Sequence, residues 1–335
     1  MSQAAHQYID RDTSTVRTEK LFSDKVLNLV YSDIRERMPA LFKAVTSARF
    51  SSLLGFINYD APLAAKLTGT SRFMREIGLD ISECLDDPKS LNTPRKVFER
   101  KIRYWETRPM PESRRAIVSP SDSRILIGSF QNTRNLFIKE KFFNLEELLG
   151  PSSLEWHGAF KDCDFAVFRL TPEKYHYNHA PVSGRVSAYY EIDGDYHSCN
   201  PGAIIKSAAP YSKNKRAVTI IDTDSAGGSK AGMVAMIEIA ALMIGGIKQC
   251  YSQHRYNSPS KMTTGMLLSR GQPKSMFFPG SSTIVLLFQR GRIRFAEDLI
   301  RNRHRPGVNS RFSLGFGESL VETDIKARSE IANAR

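Results

Sequence analysis

The chain has 335 residues, 41% of them hydrophobic and 25% charged, and a formal net charge of +13. It is long enough to bury a sizeable core in one large domain or two ordinary ones, and its composition is that of a folded soluble protein. The positive field would draw nucleic acid, anionic lipid or acidic metabolites, and the four cysteines lie far apart without a CxxC pair, which argues against a zinc site and for free thiols.

In chain order, the first twenty residues lack the apolar stretch and small-residue cleavage site of a secretory signal, so a cytoplasmic location is expected. From Thr18 to about Arg108 apolar residues recur at three- and four-residue spacing, as in LFSDKVLNLVYSDIRERMPALFKAVTSARFSSLLGFI, which predicts a helical N-terminal region over 1–108. After YWETRPMPES the texture changes to short β-rich runs punctuated by Pro, Gly, Asn and Asp: RAIVSPSDSRILIGSF, FAVFRLTPE, RVSAYYEIDGDY, RAVTIIDTD, GMVAMIEIAALMIGGI and STIVLLFQRG. These predict a mainly β domain over 109–335. The longest apolar stretch, Ala231 to Ile247, holds Glu238 in its middle and Gly-Gly near its end, so it reads as buried core and not as a bilayer span. The Arg-rich segment Arg290 to Arg311 reads as a solvated helix face, and the tail after Asp324 as frayed or helical. The fold class is therefore α+β, a helical N-terminal region packed on a mainly β domain.

Three polar clusters stand at the ends of the β runs, where loops can bring distant residues together. SPSDSR holds Asp122 between turn residues, and taken alone this is an Asx-turn aspartate. YHYNHAPVSG holds His176 and His179. An HxxH pair can bind metal, but no CxxC, HExxH or carboxylate-rich partner accompanies it, and no metal is expected. FFPGSSTIVLLFQRG enters a strand through Pro279, Gly280 and two serines, for which a hairpin tip is the plain reading. Asp, His and Ser are also the parts of an orienter, a base and a nucleophile, and no GxSxG elbow surrounds the serines. A serine at the head of a strand can instead attack the carbonyl of the residue before it, if a histidine takes its proton.

These clusters resemble, in order and type, those of the phosphatidylserine decarboxylase family of pyruvoyl-dependent enzymes. TPRKVFERKIRYWETRP is similar to the family's F-x-R-K…R-P, SPSDSRI to S-P-x-D-G-x-V, and YHYNHAPVSGRV to Y-H-x-x-H-x-P-x-x-G. NKRAVT is similar to R-N-x-R-V, IAALMIGGI to V-G-A-x-x-V-G-S-I, and FFPGSSTIVLLFQRGRIRF to the cleavage motif followed by a strand and a Gly turn. The resemblance covers roughly Asn92 to Phe295. The departures are Ser281 where the family has glycine, Ser123 for another glycine, IAAL without the usual Gly-Ala, and no acidic residues in SRGQPKSMFF. The cleavage tetrad is Gly280, Ser281, Ser282 and Thr283; the spacing to Phe288 and Gly291 makes Ser282 the pyruvoyl precursor, and a one-residue shift would make it Ser281.

The resemblance implies that Asp122 orients His179, that His179 deprotonates Ser282, and that the chain divides into a large and a small subunit. It implies a covalent pyruvoyl group in place of any external cofactor, and His176 as proton donor at the decarboxylated carbon. The implied substrate is phosphatidylserine, converted to phosphatidylethanolamine; the alternatives are a free aromatic amino acid of the tryptophan type, or a non-processing basic lipid-binding homologue. RFSSLLGFINY (Arg49 to Tyr59) reads either as a helix packed on the β domain or, with the basic charge, as a peripheral contact with an anionic membrane; a homo-oligomer is expected, and no RNA motif or helix-turn-helix pattern supports a nucleic-acid partner.

Overall fold

Runs of Val, Ile, Phe and Ala only bury themselves in pairs of sheets or between a sheet and helices, and the β-rich part of this sequence does both. In the computed structural model the described residues are 5–19, 74, 78–130, 143–151, 153–206, 210–241, 246–280 and 282–335. Their strands are β1 (Gln7–Asp10), β2 (Thr15–Thr18), β3 (Ala116–Val118), β4 (Ser123–Ser129), β5 (Asp164–Leu170), β6 (Tyr177–His179), β7 (Gly184–Ile192), β8 (Arg216–Asp222), β9 (Met233–Ala240), β10 (Ile247–Gln249), β11 (Leu267–Leu268), β12 (Pro273–Phe277), β13 (Ser282–Phe288), β14 (Ile293–Phe295), β15 (Thr323–Ile325) and β16 (Glu330–Ala334). Ten of them form one sheet in the order β11-β7-β8-β9-β13-β5-β4-β15-β1-β2. Two three-stranded sheets, β10-β12-β6 and β14-β16-β3, accompany it.

The strand β13 lies between β9 and β5, antiparallel to both, and every residue of it is buried. Its side chains alternate between two apolar layers, as a period of two requires. Ile284, Leu286 and Phe288 join Phe168, Met236, Ala180, Val182 and Phe277 on the face covered by the small sheets. Val285 and Leu287 join Val167, Ile237, Leu148 and Phe312 on the other face, where short helices pack. Each such side chain contributes roughly 1.5–3 kcal/mol through burial, so β13 is held from both sides.

The helices are short. Pro94–Phe98 starts on Thr93, whose side chain accepts from the Lys96 N–H, with proline in the first turn. Tyr104–Thr107, Leu145–Leu149, Leu154–Ala159, Pro201–Lys206, Pro210–Lys213, Glu297–Arg303 and Arg311–Phe316 follow. The six β-rich runs named from the sequence all contain strands, and the Arg-rich segment supplies β14 and the helix Glu297–Arg303.

Two expectations need correcting. The helical N-terminal region is not what the described residues show: most of the helical pattern falls at 20–73, outside them, and residues 7–18 form the hairpin β1–β2. The Asp10 side chain accepts from the Thr13 N–H and turns the chain, and Thr18 ends a strand. Between Ile81 and Arg108 there are only short helical turns joined by loops. The tail after Asp324 is neither frayed nor helical: β16 pairs with β3 and β14, and its Ile331 and Ala332 are buried in the core. Its partners lie far away in sequence, so local pattern carried no sign of them.

Candidate active site

The head of β13 sits in a row that runs across four strands. Arg124 faces Arg169, Arg169 faces Thr283, and Thr283 faces Ile239. One residue further along, Ser282 is flanked by Leu170 and Ala240. Asp122 precedes β4 at this same end, two strands away or about 10 Å at the usual strand spacing. Tyr175, His176 and His179 follow β5 after a short loop. The loops are stitched together by backbone bonds: His179 N–H donates to Pro120 at 2.7 Å, Val118 N–H to Pro181 at 3.0 Å, and Phe277 N–H to His176 at 3.1 Å. The structure thus gathers the Asp122, His176/His179 and Ser282 segments at one end of the large sheet.

By alternation with Ile284 and Leu286, the Ser282 side chain turns to the face covered by β6 and β12, while Thr283 turns to the opposite face beside Cys199 and Tyr211. The Ser282 hydroxyl is buried and has no hydrogen-bond partner among the described residues. Gly280 has φ 144°, a conformation open to glycine and strained for other residues. Ser281 lies outside the described residues.

His179 is wholly buried. Its Nδ1 is 2.9 Å from the Gly271 carbonyl and its Nε2 is 3.1 Å from the Tyr175 hydroxyl. Burial pushes its pKa down to about 4, against the Gly271 hydrogen bond, which favours the charged ring. Gly271 has φ 76°, and a Cβ there would come within 2.5 Å of Met110 Sδ, so this carbonyl is presented by a position that only glycine fits. Tyr104 meets the ring edge-on, centroids 4.7 Å apart.

Asp122 is bonded elsewhere. Arg108 grips its carboxylate with Nε and Nη2 at 2.9 and 2.7 Å, and the Ala327 N–H donates at 2.8 Å. Burial alone would raise its pKa, but Arg108 outweighs burial and holds the carboxyl below its usual range. The same guanidinium donates to both oxygens of Glu83. His176 stacks on Phe98 with centroids 3.5 Å apart, and burial, then the Arg100 charge, push its pKa down to about 3. Neither of its nitrogens makes a well-formed hydrogen bond, although the Pro172 and Thr171 carbonyls are near enough to favour its charged form.

Two groups beside the site were not picked out from sequence. Glu238 faces Ile284 on β13, on the Ser282 side, and its carboxylate is 2.7 Å from the fully buried Lys274 ammonium. Asn178, Ser275 and Gln249 also donate to it, tying β6, β10 and β12 to β9. A charge inside an apolar run was the available signal, since such a charge is buried only when paired. Tyr175 and Tyr256 are the second group, their hydroxyls 2.7 Å apart.

On the opposite face, His6, Glu19 and Glu322 have the composition of a metal site. Arg169 donates to both carboxylates and Arg124 pairs with Glu19, so two cations already balance two anions. His6 Nδ1 accepts the Arg311 N–H and its Nε2 lies 2.7 Å from Glu322. This cluster reads as an ion-pair network. Among the described residues no helix is long and apolar enough to cross a membrane, and the segment Arg49 to Tyr59 lies outside them.

Residues 95–321 match the family described as Phosphatidylserine decarboxylase. The Phosphatidylserine decarboxylase proenzyme of Chlamydia felis is 30% identical over 320 residues, covering 94% of this chain and 99% of that one. The proenzyme of Fusobacterium nucleatum is 29% identical over 315 residues, covering 92% and 95%. Phosphatidylserine decarboxylase proenzyme 2 of Saccharomyces cerevisiae is 26% identical over 304 residues, 88% of this chain and 24% of that much longer protein.

Proposed function

The chain belongs to the phosphatidylserine decarboxylase family, and from this premise we infer that it is a carboxy-lyase which converts phosphatidylserine to phosphatidylethanolamine after cutting itself before Ser282. The observation that carries the self-processing is the buried, unpartnered Ser282 hydroxyl at the head of β13, set between a glycine-only turn and the histidine segment. An uncompensated buried hydroxyl costs about 1–3 kcal/mol and is not tied down by a partner, as a nucleophile requires.

In this reading the Ser282 hydroxyl attacks the carbonyl of residue 281, and His179 Nε2 takes its proton once the neighbouring Tyr175 hydroxyl has turned its hydrogen away. Burial keeps His179 neutral near pH 7, as a base must be. The Gly271 carbonyl fixes the ring's tautomer, and Asp122, anchored by Arg108, acts on the ring through its negative charge. The orphan hydroxyl fits a pyruvoyl precursor, and the pyruvoyl group, once formed, supplies a carbonyl that withdraws electrons as carbon dioxide leaves. His176, stacked on Phe98, is assigned the return of a proton to the decarboxylated carbon; burial keeps its ring neutral, so that proton has to reach it during the reaction. The basic charge favours peripheral contact with an anionic bilayer.

The experiment is intact mass and denaturing electrophoresis of the purified chain, with carbon dioxide release from phosphatidylserine in micelles. Fragments 1–281 and 282–335 and lipid turnover are expected. Ser281→Ala blocking cleavage while Ser282→Ala permits it would move the site by one residue. Turnover of free aromatic amino acids with none of lipid would replace the substrate, and an intact chain under every condition would sink the reading.

A further inference from the structure

We propose that Tyr175 and Tyr256 are positioning residues, a reversible hydrogen-bond relay that lets the buried His179 ring gain and lose a proton at Nε2. The proposal deepens the self-processing reading above and rests on it for its role in the reaction. Each bond's direction follows from which atoms can donate. The Gly271 carbonyl only accepts, so Nδ1 carries the ring hydrogen and Nε2 is left with its lone pair. The Tyr175 hydroxyl, 3.1 Å from Nε2, must donate to it. Tyr175 has then used its one hydrogen, so the Tyr256 hydroxyl, 2.7 Å on, donates to the Tyr175 oxygen. The Ile102 N–H, 3.2 Å from Tyr256, donates to that hydroxyl in turn.

A proton taken up at Nε2 reverses the row. Nε2–H donates to Tyr175, Tyr175 to Tyr256, and Tyr256 to the Ile102 carbonyl, which stands 2.9 Å away. Hydroxyl hydrogens rotate, no O–H bond breaks, and the positive charge remains on the imidazole. Every ring nitrogen and both hydroxyls are paired in either state, in a place where one unpaired buried polar group costs about 1–3 kcal/mol. The other groups facing the ring are Tyr104, which meets it edge-on, and the charges of Arg328, Asp122 and Arg108. None of these can exchange donor for acceptor at Nε2. Burial opposes a charge on His179, so a partner that can reverse is what a base in this position needs.

Removing the Tyr256 hydroxyl strands Tyr175 only when His179 is protonated, because the neutral ring still accepts from Tyr175. Tyr256→Phe should therefore weaken proton uptake selectively. The first readout is the ring titration of His179 in the full-length Ser282→Ala chain labelled with 15N-histidine, its signal identified by loss in His179→Gln. The hydrogen should sit on Nδ1 at pH 7, and Tyr256→Phe should lower the ring's proton affinity about tenfold, one unit of pKa. The second is self-cleavage of freshly synthesised chain followed with time and pH. Tyr256→Phe should be about tenfold slower, and Tyr177→Phe, which deletes a hydroxyl outside the row, should match the parent. A hydrogen on Nε2, or a Tyr256→Phe titration and cleavage rate equal to the parent's, overturns the relay. A shifted titration in a chain whose wild type never cleaves would keep the relay and discard the processing function.

Discussion

Two buried polar clusters flank the head of β13, and they are built on opposite principles. On one face Arg169, Arg124, Glu19 and Glu322 are joined as fixed charges, with His6 bonded to Glu322 beside them. On the other, around His179, Tyr175, Tyr256 and Ser282, the groups are neutral and free to reverse or form hydrogen bonds, with the buried Glu238–Lys274 pair beside them. Fixed charge holds a strand in place but has no freedom to change state, because losing one partner leaves the other buried and unpaired. Neutral titratable groups hold less firmly and can react. The difference leaves one face wholly to support, while the other combines a supporting ion pair, Glu238–Lys274, with the groups that can react.

Four changes would break or sharpen this contrast. Ser282→Ala removes the proposed attacking hydroxyl, and full-length chain with no fragment is expected on a denaturing gel, with the melting temperature of the uncut protein preserved. Arg169→Met attacks the other face. It leaves Glu322 and Glu19 with less compensation, and a loss of about 3–5 kcal/mol is expected in urea unfolding of the Ser282→Ala background. Survival of full stability there would show that the network is not a clamp.

Acid should act on the neutral face. His179 and His176 have folded-state pKa values lowered to about 4 and about 3, so the unfolded chain binds protons that the folded one refuses. Stability should be level above the ordinary histidine pKa of about 6.5 and fall as pH drops below it, by on the order of 3 kcal/mol for His179 at pH 4. Urea midpoints against pH measure this, and His179→Gln should flatten part of the slope. The smallest effect is expected from Arg108→Lys, which keeps the charge beside Asp122 but loses the two-pronged grip. Cleavage should slow by about tenfold and stability fall by about 1 kcal/mol, and an unchanged time course would remove Arg108 from the account.

Much of this was readable from residues alone, and what escaped did so for definite reasons. Runs such as STIVLLF and RAVTIID are mostly apolar and rich in β-branched residues, so they declared themselves as buried strands. The hairpin β1–β2 and the strand β16 did not, because QYID, TVRT and EIANA are short and owe their conformation to distant partners. Asp122, His176, His179 and Ser282 stood out as reactive types at loop ends. The orienting group on His179 Nδ1 is a backbone carbonyl, which every residue has, so no side-chain pattern could reveal Gly271. Tyr256 lies in HRYNS, far from Tyr175 in sequence, and only the fold brings the two hydroxyls together. Arg108 was visible in the Arg-Pro pair, but its hold on Asp122 is a property of the assembled site.

The position of β13 has a consequence for the life of the molecule. A chain cut before Ser282 leaves β13 to β16 on the shorter piece, yet β13 is hydrogen-bonded between β5 and β9, β15 between β4 and β1, and β16 to β3, all on the longer one. The break would sit at the rim of a sheet whose middle strand then comes from a separate polypeptide. Folding of the precursor is unimolecular, whereas rebuilding the cut protein would be a second-order encounter between two chains with exposed apolar strands. Once denatured, the mature form should therefore fail to regain its structure at low concentration, and its durability would be set by how slowly it opens. Such a scission would have to come after folding, and it would make folding a step that the molecule takes only once.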